Sequence, residues 1–193
     1  MKSVLVSEKP IMCDKIANGK KTIIVKQKAP KEVPFKAYIY ETKGKKIECG
    51  FHLVDTGITL REKIVFGMHK ARVVKHYRNE GEGKVIGEFI CDKVDEYNFH
   101  EGLTEFNSMG LPSGFYGSYL IFADDYESMC LSYDEVKNYG KGKTLYGWHI
   151  SDLKIYDKPR ALSEFGKVGF GHEVPLERPC APWCYVEDLK EKK

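Results

Sequence analysis

The chain has 193 residues, of which 42% are hydrophobic and 31% are charged, and its formal net charge is +3. This length and composition are typical of one globular domain with a hydrophobic core, and they exclude a disordered chain. The N-terminal residues MKSVLV form no apolar segment of signal-peptide length, and no apolar run is long enough to span a membrane. We therefore expect a cytoplasmic protein without a membrane partner.

The charged residues are segregated along the chain. Residues 1–50 contain twelve lysines and five acidic residues, whereas residues 92–135 contain ten acidic residues and one lysine. A basic N-terminal region and an acidic middle region predict two surfaces of opposite sign. Such surfaces can recognise charged partners, but solvated loops with a local excess of one charge are equally common.

The first half of the chain predicts strands around one short helix. Pro10 lies near the first helical position and Gly19 follows the last turn, so both ends of the helix are marked. Side chains alternate in residues 22–28, with Ile23 and Val25 on one face, as in a β-strand. The predicted strands of this half are Ser3–Val6, 22–28, Phe35–Tyr40, Lys46–Val54 and Ala71–Lys75.

The second half is also rich in short strands. Ser132 can cap a helix that has Glu135 at its third position and ends at Gly140. Lys84–Tyr97 is the longest β-like run, and Ser118–Ala123 is the only clear strand within residues 98–130. The remaining predicted elements are two strands within Leu145–Ile155, a helical turn at Leu162–Phe165 and a strand at Pro182–Val186. This pattern predicts an α+β, mainly β fold: a small mixed β-barrel with a few short peripheral helices.

Six segments of the chain occur in a recognisable order. They read KPIMCDKIANGKKT, FKAYIYETKG, GKVIGEFICDKV, LSYDEVKNYG, GWHISDLKIYDKPRALSEF and PCAPWCYVE. In this order they resemble the ASCH family of the PUA-like superfamily, and in particular its members encoded by phages and prophages. The resemblance implies a single PUA-like β-barrel domain over residues 1–193, with insertions at about 51–82 and 98–130, of which the second is acidic. A phage-encoded protein of this kind would act in the cytoplasm of a bacterial host.

The family signature, Gly-x-Lys-x-x-Glu-x-Arg with Thr sometimes in place of Glu, is only partly present. Residues Gly19–Lys26 keep Lys21, but Ile24 replaces the polar residue and Lys26 replaces the arginine. The resemblance implies that Lys21 and the residue at position 24 act together in the hydrolysis of acylated nucleosides, or that the protein cleaves RNA. Ile24 cannot orient a catalytic lysine, so we expect no catalysis or weak catalysis, with Lys21 and Thr22 as its residues.

The first functional hypothesis is RNA binding by a non-catalytic or weakly catalytic PUA-like protein. A phosphate backbone requires positive charge but no exact geometry, and lysines surround the strand at Lys21. These lysines are Lys20, Lys21, Lys26, Lys28 and Lys31. The aromatic residues that can stack on unpaired bases are Tyr38, Tyr40, Phe115 and Tyr116. The alternative is structural: lysines on a strand edge prevent aggregation, and tyrosines fill the core.

The second hypothesis is a phage-derived inhibitor that binds a basic host protein. An acidic and aromatic surface can compete for the nucleic-acid groove of a host enzyme, for example a CRISPR nuclease. The acidic residues assigned to this surface are Asp92, Asp95, Glu96, Glu101, Glu105, Asp124, Asp125 and Glu127.

The cysteines predict two alternatives. A cytoplasmic chain of this size is expected to keep its six cysteines reduced, most of them as small core residues. A structural zinc site is the other alternative, because a Cys-x2-His pair and a Cys-x3-Cys pair together supply four ligands. These ligands are Cys49, His52, Cys180 and Cys184, with Cys130 and His172 as substitutes. His149 lies between Trp148 and Ile150 on a predicted strand, which favours a core histidine over a metal ligand.

Overall fold

The computed structural model describes residues 2–55, 71–106, 112–119, 121, 123–169 and 174–189, and this part of the chain is mainly β. Its first half contains β1 (Ser3–Glu8), α1 (Pro10–Ala17), β2 (Ile23–Lys26), β3 (Phe35–Glu41), β4 (Lys46–Asp55), β5 (Ala71–Asn79) and β6 (Val85–Cys91). The second half contains β7 (Val94–Tyr97), β8 (Phe99–Phe106), β9 (Pro112–Tyr119), α2 (Ala123–Met129), α3 (Tyr133–Gly140), β10 (Leu145–His149), β11 (Ser151–Arg160), a 3-10 turn (Leu162–Glu164) and β12 (Trp183–Val186). The predicted class, mainly β with a few short helices, is confirmed.

The described strands form four sheets. A five-stranded sheet has the order β11-β6-β3-β1-β12, in which β1 and β3 are parallel and the other pairs are antiparallel. A three-stranded antiparallel sheet has the order β2-β10-β7. The hairpins β4–β5 and β8–β9 are separate two-stranded sheets. β8–β9 lies within the insertion expected at about 98–130, and β4–β5 overlaps the one expected at about 51–82 but starts before it, at Lys46. The described strands do not close into the predicted barrel, because β11 and β12 remain the edges of the larger sheet.

Local sequence signals correctly place the helices α1 and α3. Pro10 is at the start of α1, and Gly19 adopts a left-handed φ of 69° just after its end. Ser132 and Glu135 form the predicted capping box of α3: the Ser132 side chain accepts from the Glu135 amide, and the Glu135 carboxylate accepts from the Ser132 amide at 2.8 Å. Both helices are therefore defined by contacts between residues close in sequence.

The secondary structure predicted for residues 98–130 is wrong over most of this region. Instead of one strand at Ser118–Ala123, the structure contains β8, β9 and α2 in this region. The pairing of β8 with β9 shifts register between His100 and Leu103, so the simple alternation that would mark a strand in the sequence is interrupted. The predicted strand run Lys84–Tyr97 is divided between β6 and β7, which belong to different sheets.

Strand β2 is buried on both of its faces. Ile24 packs in a cluster with residues of β1, α1, β3, β6 and β10, in which the Phe35 and Trp148 rings are 5.1 Å apart at an angle of 81°. Ile23 and Val25 pack on the opposite side, in a cluster with residues of β7, β9, α2, α3 and β10. A strand between two apolar clusters carries any charged side chain at its ends into a poorly solvated environment.

Among the described residues, no helix is long and apolar enough to cross a membrane.

Candidate ligand-binding pocket at Lys21

A cavity of about 390 Å³ opens where the ends of β1 and β2 meet α1 and α3. Residues of both polar and apolar character line it: Ser7, Glu8, Lys9, Met12, Lys21, Val25, Lys26, Leu131, Glu135, Asn138 and Tyr139. This volume lies within the range of small-molecule sites in proteins. The pocket therefore brings together Lys21 and Lys26, two of the lysines predicted to bind nucleic acid. Its other lining residues were not predicted from the sequence to belong to a site.

The turn after α1 directs Lys21 into the pocket. The backbone amides of Lys20 and Lys21 both donate to the Lys15 carbonyl oxygen, at 2.9 and 3.0 Å, and this reverses the chain before β2. The Lys21 side chain is buried, with the residue 3% exposed, and its Nζ donates to the Met129 carbonyl oxygen at 2.6 Å. Met129 is the last residue of α2, so the ammonium group contacts the carbonyl end of that helix.

Burial lowers the pKa of Lys21 to about 8, because the charged ammonium form loses its hydration. The Glu8 carboxylate acts in the opposite direction and limits this fall in the pKa. Lys26 and Lys15 lower the pKa of Lys21 further by charge repulsion. With this pKa about a tenth of Lys21 is deprotonated at pH 7 and about half at pH 8, a much larger neutral fraction than an exposed lysine has.

Lys26 and Glu8 form a buried ion pair at one wall of the pocket. Lys26 Nζ lies 2.6 Å from Glu8 Oε1 and donates to the Ser7 carbonyl oxygen at 2.9 Å. The two side chains are only 7% and 10% exposed, so water screens the pair weakly. Nothing in the sequence indicates this pairing, because Glu8 and Lys26 lie 18 positions apart. In the structure Glu8 is the last residue of β1. Ile24, which replaces the polar residue of the family signature, is fully buried in the core.

The other lysines of the predicted basic surface do not share one location. Lys20 and Lys28 are exposed, whereas Lys31 lines a different cavity, of about 530 Å³, together with Lys2 and Tyr185. Lys21 and Lys26 are buried because β2 lies between two apolar clusters, so the five lysines do not form one exposed surface. Their binding to nucleic acid stays a prediction.

The predicted catalytic and stacking partners of Lys21 are also placed elsewhere. Thr22 is exposed and is not among the residues that line the pocket, and its backbone amide donates to the Ser128 carbonyl oxygen. Tyr38 and Tyr40 are buried in a core cluster and cannot stack on a base. The side chains of Phe115 and Tyr116 lie outside the described residues. The aromatic residue of the pocket is Tyr139, which the sequence placed only at the end of a helix.

The acidic residues are divided between internal pairs and exposed positions. Asp95 Oδ2 lies 2.6 Å from His149 Nε2 and 2.9 Å from Lys93 Nζ. Burial raises the pKa of Asp95, but the hydrogen bonds from Lys93 and His149 outweigh this and keep the pKa low. Ser151 Oγ donates to Asp92 at 2.9 Å, and Tyr97 donates to Asp125 at 3.2 Å. Glu96, Asp124 and Glu127 are exposed, and the side chains of Glu101 and Glu105 lie outside the described residues.

Cys180 and Cys184 form a disulfide, so the expectation that all cysteines are reduced is wrong for this pair. In this oxidised form neither sulfur is a thiolate that can bind zinc. The side chains of the other two predicted ligands, Cys49 and His52, lie outside the described residues. The described residues contain no group of three or more metal-ligating side chains, and the zinc site stays a prediction. Cys13 and Cys91 are buried free thiols, as expected for core cysteines.

Comparison with known proteins adds no assignment to this geometry. No protein-family model matches the chain, and no curated protein sequence is significantly similar to it.

The lowered pKa of Lys21 predicts a pH-dependent contribution to stability. The folded state holds the Lys21 pKa near 8, whereas the unfolded chain returns it to about 10.5. Between these values the unfolded state binds more protons, so the Lys21 contribution to the free energy of unfolding increases as pH rises. Relative to Lys21→Met, the wild type should gain roughly 2 kcal/mol between pH 7 and pH 10, measured by urea denaturation.

The comparison with Lys21→Met isolates this contribution, because buried Cys13 and Cys91 have raised pKa values and destabilise the fold at alkaline pH in both proteins. The exposed Lys154→Met is the control for the loss of a lysine charge. A difference between wild type and Lys21→Met that stays constant from pH 7 to pH 10 would show that Lys21 is not desolvated.

The buried Lys26–Glu8 pair predicts strong coupling in a double-mutant cycle. Glu8→Gln leaves the Lys26 ammonium buried without its counter-charge and should cost about 3 kcal/mol in the free energy of unfolding. Lys26→Met should cost a similar amount, and the double variant should cost much less than the sum, measured by urea denaturation at pH 7. The matched control is Glu32→Gln in the exposed Lys2–Glu32 pair, which should leave stability nearly unchanged. Additive effects of Glu8→Gln and Lys26→Met would contradict the pairing.

Proposed function

We propose that this chain is a PUA-like RNA-binding protein that receives one unpaired nucleotide in the Lys21 pocket. The observation that carries the proposal is the combination, in one pocket of about 390 Å³, of the Lys21 ammonium, the Lys26–Glu8 pair and an apolar wall. The mainly β fold and the order of the six ASCH-like segments support the same proposal.

The chemistry of the pocket lining suits a nucleobase better than a purely charged ligand. Met12, Val25 and Leu131 supply apolar contact area, and Tyr139 supplies an aromatic ring on which a base can stack. The Asn138 side-chain amide can donate and accept hydrogen bonds, and the Glu8 carboxylate can accept them. Hydrogen-bond donors and acceptors on the edge of a base therefore both have partners in the pocket. Proteins read the sequence of RNA mainly on such unpaired bases.

The exposed lysines near the pocket suit the phosphates of the same strand. Lys9 lines the pocket and is exposed, and Lys20 is the immediate neighbour of Lys21. Gln27 donates to the Tyr139 carbonyl oxygen at 2.7 Å, and the next residue along the chain, Lys28, is exposed. Solvated lysines of this kind contribute affinity that decreases with salt and carries no sequence information.

The direct test is fluorescence anisotropy with labelled single-stranded RNA at low salt. Wild type should bind single strands more tightly than duplex RNA of the same length, because a paired base cannot enter the pocket. Lys21→Met should weaken binding by about ten-fold or more, as expected for the loss of a charge-assisted hydrogen bond. Lys154→Met, an exposed substitution on β11, is the matched control and should change the affinity little.

The salt dependence separates the pocket from the phosphate contacts. Lys20→Met and Lys28→Met should each reduce the slope of log affinity against log salt, while single strands remain preferred over duplex. Equal affinity for single-stranded and duplex RNA, or equal loss of affinity with Lys21→Met and Lys154→Met, would overturn the proposal.

A second candidate function, hydrolysis of acylated nucleosides, is favoured by one observation: Lys21 combines a pKa of about 8 with a position on the pocket wall. A neutral amine can take a proton from an attacking water, and the Met129 carbonyl oxygen fixes its position. Release of cytidine from an N-acylated cytidine, measured by chromatography, should rise with pH through about 8 and fall at least about 100-fold in Lys21→Met. Turnover by Lys21→Met at the wild-type rate would exclude this candidate, with Lys154→Met as control.

A further inference from the structure

The Cys180–Cys184 disulfide is connected by hydrogen bonds to the wall of the Lys21 pocket. Ser7, a pocket residue, donates from Oγ to the Cys180 carbonyl oxygen at 2.7 Å and from its backbone amide to the Pro182 carbonyl oxygen at 3.0 Å. The Ser7 carbonyl oxygen in turn accepts from Lys26 Nζ at 2.9 Å. A continuous series of contacts therefore runs from the disulfide loop, through Ser7, to the buried ion pair.

The two cysteines are held in different ways. Cys184 belongs to β12 and lies opposite Leu5 of β1 in the antiparallel ladder. The neighbouring Trp183 is anchored as well, since its Nε1 donates to the Lys28 carbonyl oxygen at 3.1 Å and its ring packs 5.6 Å from that of Trp148. Cys180 lies outside the strand, and the disulfide gives it a second covalent connection to β12 besides the backbone.

Opening the disulfide should therefore change the pocket more than it changes the sheet. Cys184 keeps its strand pairing with β1 after reduction, whereas Cys180 loses its second covalent connection to β12 and keeps the hydrogen bond from Ser7 Oγ. The conformational freedom that the loop regains opposes this hydrogen bond. Ser7 and Glu8 end β1 at this point, so their alignment with Lys26 depends on the loop.

We propose that Cys180 and Cys184 form a reversible thiol–disulfide site that controls the Lys21 pocket, with the disulfide form as the binding-competent state. Both cysteines are partly exposed, and a small thiol can reach them. The thiolate of such a reductant, of the glutathione or dithiol class, attacks one sulfur, breaks the Cys180–Cys184 bond and forms a mixed disulfide. The released cysteine thiolate takes up a proton. A second reductant thiolate then displaces the other cysteine, so that two electrons enter the protein and the reductant leaves as its disulfide.

The effect on RNA rests on the proposed function, but the effect on Ser7 does not. Two measurements on wild-type protein, oxidised and then reduced with dithiothreitol, therefore test the inference. Reduction should accelerate hydrogen exchange of the Ser7 amide and weaken single-stranded RNA binding, each by about five-fold, which corresponds to the loss of one ordinary hydrogen bond. Differential alkylation with mass spectrometry verifies the state of Cys180 and Cys184 in each sample.

The variants separate this pair from the other thiols. Cys180→Ser combined with Cys184→Ser should behave as the reduced wild type under both conditions. Cys130→Ser removes the partly buried free thiol near Lys20 and should keep the full response to dithiothreitol. If Cys130→Ser abolishes the response, the assignment to Cys180 and Cys184 is overturned.

The outcomes distinguish this inference from the proposed function. RNA binding that is tight and equal in both redox states supports the proposed function and overturns the redox control. If neither state binds RNA, the proposed function fails, and hydrogen exchange of the Ser7 amide then tests the redox coupling alone. Faster exchange after reduction supports the coupling between the disulfide and the pocket, and equal exchange in both states overturns it.

Discussion

The burial of two lysine side chains, one before and one at the end of a four-residue strand, is the constraint on which the site depends. β2 lies between two apolar clusters, so Lys21 and Lys26 lose most of their hydration. An unpaired buried charge is costly, and each ammonium group therefore requires an acceptor from another part of the chain. Met129 of α2 supplies one, and Ser7 with Glu8 of β1 supplies the other.

These partners determine the geometry of the pocket. Lys21 contacts the carbonyl end of α2 and Lys26 contacts the end of β1, so these two lysines join the segment from Lys21 to Lys26 to both elements. Helix α3, which follows α2 closely, then contributes Asn138 and Tyr139 to the same cavity. The pocket combines charge, hydrogen-bonding groups and an apolar wall as a direct consequence of how the fold satisfies its buried cations.

The disulfide extends this arrangement to another strand. β12 pairs with β1, and the loop that Cys180 and Cys184 close accepts hydrogen bonds from Ser7, whose carbonyl oxygen accepts from Lys26. Ser7 therefore has hydrogen bonds through its amide, hydroxyl and carbonyl groups, and its position depends on both the loop and the ion pair. A residue with these connections transmits a change in the loop to the pocket without a rearrangement of the sheet.

Local signals in the sequence are the ones that the structure confirms. Pro10 and Gly19 delimit α1, and the Ser132–Glu135 capping box starts α3, because these interactions join residues only a few positions apart. The hairpin β8–β9 was not predicted, since its irregular register hides the alternation of a strand. The sequence also predicted a closed barrel, which the described strands do not form. Strand patterns indicate which segments are extended but not which strand edges pair.

The sequence by itself determined the mainly β class, the limits of two helices and the presence of a lysine at position 21. Only the tertiary structure decided which lysines are buried, that Glu8 pairs with Lys26, and that Cys180 and Cys184 are joined beside the pocket. The physical reason is the range of the interactions. Caps and alternation act over a few residues, whereas Lys21 finds its acceptor 108 positions away and Ser7 finds Cys180 173 positions away.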